Sequence, residues 1–219
     1  MSLDIETARR NMVEQQVRGW DVLDHRVLDV LASVPREAFV SEAWRELAFA
    51  DLALPLGHGE VMMKPVVEGR LLQALSLSGN ESVLEIGTGS GFLTACLARL
   101  GNRVTSLEYR AELAESARQR LAAHGIDNVD VVIAEAVTEW QAPHTFDAIV
   151  VGGAVARFPQ RWLSWLKPGG RSVAVVGRSP SMQAVLANAS ASGELDVRHL
   201  FETDLPYLLH AAPEPQFTL

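Results

Sequence analysis

The chain has 219 residues, of which 48% are hydrophobic, and its 19 Lys and Arg against 27 Asp and Glu give a formal net charge of −8. A chain of this length can bury one good core. An acidic chain without a block of like charges disfavours phosphate backbones, so we expect no nucleic-acid partner. No segment reaches the roughly 20 apolar residues that span a bilayer, and the N-terminus lacks a secretory apolar stretch. We therefore expect a soluble cytoplasmic protein without a membrane partner, whose oligomeric state the sequence leaves open.

Neither a disulfide nor a metal site is predicted. Cys96 is the single cysteine, and its position in an apolar helical run predicts a packed core thiol. No His, Cys and Asp residues share the spacing of metal ligands, so we expect no bound metal.

We expect residues 1–78 to form an N-terminal helical cap that carries an active-site loop. Residues 7–17 contain neither Pro nor Gly, which predicts a helix, and Gly19 is placed to end it. Asp24 is placed to cap a second helix.

The end of this N-terminal region has a different pattern. Residues 51–65 are punctuated by Pro and Gly without a helical period, which predicts a loop that crosses the surface. Pro65 is placed to open a helix that continues to residue 75.

From residue 79 the chain alternates apolar strands with amphipathic helices. This alternation predicts a Rossmann-like α/β fold with a mostly parallel, doubly wound sheet over residues 79–204. Residues 205–219 contain three prolines and are predicted to form an extended or poorly ordered tail. The predicted strands are 82–86, 103–108, 129–133, 147–151, 171–177 and 195–201, and the predicted helices are 91–100, 111–124, 159–166 and 181–191.

One junction in this domain predicts a ligand site. The apolar run that ends at Ile86 passes through Gly87-Thr88-Gly89-Ser90-Gly91 directly into a helical pattern. Such a junction presents a bare backbone at a helix N-terminus. Glu108 ends the next apolar run, about 20 residues after the first glycine, where a strand-tip carboxylate accepts ribose hydroxyls. The glycine-rich junction and Glu108 together predict a nucleoside-cofactor site, and a purely structural turn is the alternative.

The spacing of the glycines distinguishes among cofactors. A dinucleotide fingerprint would place its third glycine where Phe92 stands, and no triphosphate-binding G-x-x-x-x-G-K-[ST] motif is present. Glu85, just before the turn, would repel a pyrophosphate but attract a cationic amino-acid group. These features favour S-adenosylmethionine as the cofactor over NAD, so an NAD-dependent oxidoreductase is disfavoured.

Six segments of the chain form a recognisable set of motifs. They are Met12-Val13-Glu14-Gln15-Gln16-Val17-Arg18, Val34-Pro35-Arg36 with Phe39-Val40, Leu54-Pro55-Leu56-Gly57-His58-Gly59, Val83 to Gly91, Phe146-Asp147-Ala148-Ile149-Val150-Val151 and Leu166-Lys167-Pro168-Gly169-Gly170-Arg171. Together these motifs resemble those of class I S-adenosylmethionine-dependent methyltransferases, and more narrowly the protein-L-isoaspartate O-methyltransferase family. The resemblance extends over residues 11–177 and implies a methyltransferase whose acceptor is a carboxylate on damaged, L-isoaspartyl protein or peptide.

The resemblance also implies roles for individual residues. The backbone of residues 87–91 would hold the methionine part of the cofactor, Glu108 the ribose, and Tyr109 with residues 134–136 the adenine. Residues 60–63 would approach the methyl group and the acceptor. The resulting cofactor-binding candidates are Val61, Met62, Met63, Glu85, Gly87, Thr88, Gly89, Ser90, Gly91, Glu108, Tyr109, Ala134, Glu135 and Ala136.

The chain departs from the family pattern at two of these places. It has Val61-Met62-Met63 where the family has Thr-Ile-Ser, so Met63 stands at the position of the proposed catalytic serine and the catalytic residue is unknown. It also has Ala134-Glu135-Ala136 where the family has Gly-Asp-Gly. The alternative hypothesis is therefore an S-adenosylmethionine-binding protein of the same fold with lost or altered transferase activity.

Overall fold

A computed structural model of the chain describes residues 4–189 and 195–214. The described N-terminal third is mostly helical and ends in a short hairpin and a longer helix. Its elements in chain order are α1 (Ile5–Asn11), a π-helical turn (Met12–Val17), a 3-10 turn (Arg18–Trp20), α2 (His25–Ser33), two further 3-10 turns (Arg36–Phe39 and Glu42–Leu47), the antiparallel strands β1 (Leu54–Gly57) and β2 (Glu60–Met62), and α3 (Pro65–Leu75).

Two of the helix boundaries predicted here are confirmed and one is wrong. Asp24 caps α2, because its carboxylate accepts a hydrogen bond of 2.9 Å from the backbone N–H of Arg26. Pro65 opens α3 as predicted. Gly19 does not end the first helical segment, which continues to Trp20 in π and 3-10 geometry and ends where Asp21 takes a left-handed conformation with φ of +64°.

The surface loop predicted over residues 51–65 is instead a hairpin. His58 and Gly59 take φ values of +56° and +84°, and this reverses the chain between β1 and β2. Leu54 pairs with Met62 and Pro55 with Val61. The hairpin therefore holds residues 60–63 on a short, paired arm rather than on an irregular loop.

The second part of the chain builds a seven-stranded sheet in the order β5-β4-β3-β6-β7-β8-β9. The first five strands in this order are parallel, and β8 and β9 extend the sheet as antiparallel neighbours. The elements are β3 (Ser82–Ile86), α4 (Phe92–Leu100), β4 (Arg103–Glu108), α5 (Ala111–Ala123), β5 (Val129–Ile133), β6 (Phe146–Val155), a 3-10 turn (Gln160–Trp165), β7 (Leu166–Arg178), β8 (Ser181–Ala189) and β9 (Leu195–Thr203). The predicted Rossmann-like, mostly parallel fold with N-terminal helices is confirmed.

The central strands are buried on both faces, which is why their sequences are almost continuously apolar. Val83 and Val150 belong to the core beneath α3, α4 and α5, which also takes up the fully buried Cys96, as predicted. The alternate residues Leu84 and Ile149 face the opposite side. There the 3-10 turn supplies the cover through two buried tryptophans, Trp162 and Trp165, instead of the helix predicted over residues 159–166.

The helix predicted over residues 181–191 is wrong, because residues 181–189 form β8. Its residues, Ser181-Met182-Gln183-Ala184-Val185-Leu186-Ala187, have good helix propensity. Pairing with β7 on one side and β9 on the other overrides that propensity. Residues 190 and 191 of the prediction lie outside the described residues.

The described part of the predicted tail is fastened to the sheet. The backbone N–H of Ala154 donates to the carbonyl of Pro206 at 2.8 Å, and the N–H of Leu208 donates back to Ala154 at 2.9 Å. A further bond of 2.8 Å joins Ala156 to Ala211. Residues 205–214 thus continue along the end of β6, while residues 215–219 lie outside the described residues.

None of the helices in the described ranges combines the length and the apolarity needed to cross a membrane.

The N-cap role of Asp24 on α2 can be tested by substitution. We expect Asp24→Ala to lower the free energy of unfolding by about 1 kcal/mol, because the Arg26 N–H loses its acceptor. Urea denaturation measures the change. Asp24→Ser, which keeps a capping oxygen, should recover most of the stability, and equal losses in the two variants would contradict the capping role.

Candidate active site

A cleft of about 690 Å³ lies at the carboxyl ends of β3, β4 and β6. In this sheet the chain runs outward from β3 through β4 to β5 on one side and then crosses over to β6 on the other side of β3. Such a switch point opens a crevice at the strand ends, where α/β proteins bind their ligands. Four segments wall the cleft: the turn after β3, the tip of β4, the β1–β2 arm, and residues 206–208 beside the end of β6.

The turn between β3 and α4 depends on its glycines. Gly87, Gly89 and Gly91 have φ values of +95°, +53° and +87°, which residues with a Cβ rarely adopt. The N–H groups of Gly87 and Thr88 both donate to the carbonyl of Leu107, at 2.8 and 3.1 Å. The turn is therefore tied to β4 and presents bare backbone to the cleft.

Glu108 lies at the tip of β4 and faces the turn. Its side chain is only 4% exposed, and its two oxygens accept hydrogen bonds from the backbone N–H groups of Gly89 at 2.9 Å and Arg110 at 3.0 Å. Burial raises the pKa of Glu108 against the effect of these bonds. Because each oxygen keeps a free lone pair, the carboxylate can still accept hydrogen bonds from two hydroxyls of a ligand.

The β1–β2 arm is fastened to the tip of β4 across the cleft. Glu60 accepts hydrogen bonds from the Tyr109 hydroxyl at 2.7 Å and from Nε of Arg110 at 3.2 Å. Burial and the neighbouring Glu60 raise the pKa of Tyr109 to about 12. Arg110 also lies 4.6 Å from the centre of the Tyr109 ring. These contacts hold residues 60–63 opposite the glycine turn.

Glu85 lies beneath the turn, fully buried, and does not line the cleft. One of its oxygens accepts hydrogen bonds of 2.5 Å from the hydroxyls of Thr94 and Ser106, and Ser106 lies 2.5 Å from the Thr88 hydroxyl. The other oxygen has no hydrogen-bond partner in the described part of the chain. Burial raises the pKa of Glu85 to about 8. Glu85 therefore supports the turn from below, and a contact with a bound cofactor stays a prediction.

A second pocket of about 280 Å³ adjoins the cleft and shares Gly87, Tyr109 and Leu208 with it. The segment 134–136 lines this pocket. Glu135 itself accepts hydrogen bonds from the backbone N–H groups of Val137 at 2.6 Å and Thr138 at 2.7 Å. Although burial opposes it, these bonds lower the pKa of Glu135. Its carboxylate thus shapes the turn after β5.

A buried ion pair forms the floor of the cleft on the side of the arm. Arg36 is fully buried and its guanidinium donates to Glu68, to the Met63 carbonyl at 2.6 Å and to the Ala48 carbonyl at 2.8 Å. Glu68, on α3, is 2% exposed and lines the cleft. Burial raises the pKa of Glu68 to about 7, against the attraction of Arg36.

The structure brings most of the predicted site residues together. The cleft is lined by Val61, Met62, Met63, Gly87, Thr88, Gly89, Ser90, Glu108 and Tyr109, and the second pocket by Gly87, Tyr109, Ala134, Glu135 and Ala136. Glu85 and Gly91 line neither pocket. Gly91 is the N-cap of α4 and packs towards Ala117. Among the residues that the structure describes, no cluster of His, Cys, Asp and Glu is placed to hold a metal ion.

Other lining residues escaped the sequence analysis. Glu68 had a usable signal, because a carboxylate on the apolar face of a predicted helix is unusual. Gly152 is different, because the sequence Gly152-Gly153-Ala154 at the carboxyl edge of the predicted sheet predicts either a lining of the substrate mouth or a simple turn. The structure places Gly152 and Gly153 in the lining of the cleft, and a Cβ on Gly152 would lie 2.7 Å from the Gly87 carbonyl oxygen. Residues 206–208 had no local signal, since their position depends on pairing with β6.

The buried carboxylate under the turn predicts how stability depends on pH. Glu85 has a pKa of about 8 in the folded chain against an ordinary value of 4.5, so its contribution is complete below pH 4.5 and is lost as the pH rises towards 8. We expect Glu85→Gln, which stays neutral, to flatten the fall in unfolding free energy between pH 5 and 8, as measured by urea denaturation. Glu112→Gln, on an exposed position of α5, is the control, and parallel curves for wild type and Glu85→Gln would contradict the assignment.

Comparison with known proteins agrees with this geometry. Residues 7–204 match the family model of protein-L-isoaspartate(D-aspartate) O-methyltransferases. A protein-L-isoaspartate O-methyltransferase of Rhodopseudomonas palustris is 40% identical over 190 residues, covering 87% of this chain and 77% of the relative, and one of Myxococcus xanthus is 43% identical over 165 residues, covering 75% and 78%.

Two solved structures share the fold at low sequence identity. A protein-L-isoaspartate O-methyltransferase has a TM-score of 0.81 at 23% identity and covers 93% of this chain and 67% of its own. A Plasmodium falciparum structure of that description, in complex with S-adenosyl-L-homocysteine, has a TM-score of 0.77 at 18% identity. The match covers 95% of this chain and 99% of the Plasmodium chain. The predicted resemblance is confirmed: the chain belongs to the protein-L-isoaspartate(D-aspartate) O-methyltransferase family, whose enzymes use S-adenosylmethionine.

Proposed function

We propose that this protein transfers a methyl group from S-adenosylmethionine to the carboxylate of an L-isoaspartyl residue in a damaged protein or peptide. The observation that carries the proposal is the meeting of two features in one cleft. The glycine turn with Glu108 forms one wall, and residues 60–63 on the β1–β2 arm form the other. A donor held on the first wall would present its methyl group to an acceptor beside the second.

The residues present fit S-adenosylmethionine. Bare backbone at Gly87 and Gly89 leaves room for the methionine part, since a Cβ on Gly89 would press to 3.1 Å against Leu56. Glu108 has free lone pairs for the ribose hydroxyls, and the adjoining pocket at residues 134–136 is apolar enough for a purine ring. When bound, the cofactor supplies an electrophilic methyl group.

The chain's own contribution to such a reaction is alignment and exclusion of water. A carboxylate is already ionised at neutral pH, so no proton has to be removed before it attacks a methyl group. Met62, Met63 and Leu93 give this part of the cleft an apolar wall that would desolvate the reacting groups. Met63 lacks the hydroxyl of a serine, and the loss of one hydrogen bond of this kind costs about 1–3 kcal/mol. An activation free energy raised by this amount would slow the reaction without preventing it.

Met63 is also the observation that favours the second candidate, a protein that binds S-adenosylmethionine and has lost or altered its transferase activity. Its side chain is 5% exposed and takes part in the same hydrophobic core as α3 and α4. An NAD-dependent reaction is disfavoured, because Phe92 occupies the third-glycine position and is buried against Phe39 at a ring distance of 5.8 Å. The cytoplasmic location and the three-part division of the chain at residues 78 and 204 stay predictions.

Methyl transfer to a peptide tests the proposed acceptor. We expect wild type to transfer radiolabelled methyl groups from S-adenosylmethionine to a peptide that contains one isoaspartyl residue. We expect Met63→Ser to be about tenfold faster or more, because the added hydroxyl can donate to the acceptor carboxylate. Initial rates over a series of peptide concentrations separate kcat from KM.

The control substrate is the same peptide with an ordinary aspartyl residue, which should receive no label. Activity in Met63→Ser alone would mean that this chain has lost the isoaspartyl reaction. No activity in either protein, with calorimetry still detecting S-adenosylhomocysteine binding, would contradict the proposed acceptor and support the binding protein. Binding of NAD but of no adenosyl ligand would contradict both.

A further inference from the structure

The lining of the cleft is negatively charged. Three glutamates, Glu60, Glu68 and Glu108, contribute to it, and no Lys, Arg or His of the described ranges does. An acceptor carboxylate that enters this cleft therefore meets like charges at its wall. Like charges at such short range in a partly desolvated cleft disfavour binding unless one of the groups takes up a proton.

The three glutamates differ in what already binds them. Glu60 is held by Tyr109 and Arg110, and both oxygens of Glu108 accept backbone hydrogen bonds. Glu60 and Glu68 each accept side-chain hydrogen bonds on one oxygen only among the described residues, but the Glu60 side chain is partly exposed to solvent, whereas Glu68 is 2% exposed and is bound to Arg36. Glu68 is thus the buried lining carboxylate that has one oxygen without a hydrogen bond among the described residues, and Arg36 links it to the Met63 carbonyl.

We propose that Glu68, in its protonated form, binds the acceptor by donating an O–H hydrogen bond to the acceptor carboxylate, while Arg36 holds Glu68 in place. This inference rests on the proposed function, because it assigns a residue that selects a carboxylate as acceptor. The guanidinium of Arg36 binds the Met63 carbonyl as well as Glu68, so it couples the arm to α3. The hydrogen-bond donor that Met63 cannot provide then comes from the helix behind it.

The proton balance of this arrangement is simple. Two carboxylates that face each other in a buried site share one proton, as in a catalytic dyad. Burial already raises the pKa of Glu68 to about 7, and an anionic acceptor raises it further. The acceptor oxygen that is not bonded to Glu68 forms the new O–CH₃ bond. The C–S bond of the donor breaks with its electron pair left on sulfur, and the proton stays on Glu68.

Arg36 is the one cation that faces Glu68 from the described elements packed around it. Its other titratable neighbours are neutral or acidic: Glu85 on β3, Cys96 on α4, and Glu60, Glu108 and Tyr109 across the cleft. The remaining cations of the surrounding elements bind elsewhere or are exposed: Arg110 donates to Glu60 across the cleft, Arg70 to Trp20, Arg26 to Leu77 and Arg171 to Leu75, and Lys64 is exposed. The charges around Glu68 thus favour uptake of a proton when an anion binds.

The inference is tested by binding, so that no turnover is needed. Calorimetry measures the Kd of an isoaspartyl peptide for protein saturated with S-adenosylhomocysteine, at pH 6 and at pH 8. For wild type we expect binding to be about tenfold weaker at pH 8, because the protonated fraction of a group that titrates near pH 7 falls about tenfold. We expect Glu68→Gln, whose amide donates at both pH values, to bind equally at pH 6 and pH 8.

Two controls keep the result interpretable even if Glu68→Gln folds poorly. Glu112→Gln, on exposed α5, should keep the wild-type pH dependence. A peptide in which the free carboxylate is converted to a carboxamide should bind wild type equally at the two pH values, which needs no variant at all.

Each outcome is decisive. Wild-type binding that is unchanged or stronger at pH 8, or a tenfold dependence that survives in Glu68→Gln, would overturn the role of Glu68. Methyl transfer combined with pH-independent binding would overturn that role and leave the proposed function standing. The expected pH dependence without methyl transfer would support Glu68 and contradict the proposed function, and no peptide binding at either pH would overturn both.

Discussion

The backbone turn from Gly87 to Gly91 is the constraint on which the rest of the site depends. Its three alternate glycines have positive φ, and this lets the chain leave β3 and enter α4 within five residues. Leu107 and Glu108 at the end of β4 satisfy three of the backbone N–H groups of the turn. Gly152 on β6 allows that strand to approach within contact distance of the Gly87 carbonyl. The strand spacing, the turn and the cleft are therefore one geometric unit.

Carboxylates around this unit have different roles because their environments differ. Glu85 is buried below the turn and bound to two hydroxyls, whereas Glu108 supports the turn from the side and faces the cleft. Glu68 is held by Arg36 on the floor of the cleft, on the side of the β1–β2 arm. Burial raises the pKa of all three groups. The same residue type thus gives internal support and, in our proposals, a ligand contact and a protonated donor to the acceptor.

The sequence predicted those parts of the protein that are specified locally. A strand, an alternating glycine turn and a helix follow one another within residues 83–100, so their geometry depends on neighbours in the chain. The position of Glu108 follows from the regular length of a βαβ unit. Asp24 and Pro65 act on the helices that begin beside them. For these features the sequence and the structure agree.

Features that depend on distant partners could not be predicted in this way. The segment 181–189 has the composition of a helix and becomes a strand only because β7 and β9 pair with it. Residues 206–208 line the cleft because they form hydrogen bonds with β6. No local sequence pattern predicts this pairing. Glu68 lies on an apolar helix face, and its partner there is Arg36, 32 residues earlier in the chain. The sequence alone does not show that these two residues meet.

Hydrogen exchange of the backbone amides, measured with and without saturating S-adenosylhomocysteine, tests the central claim most directly. If the cofactor lies between the glycine turn and the β1–β2 arm, exchange should slow in residues 60–63, 87–91, 108–110 and 134–136. Unchanged exchange in all four segments at saturation would contradict the account. So would slowing confined to the separate cavity beside Arg157 and Arg178, which lies outside the proposed site.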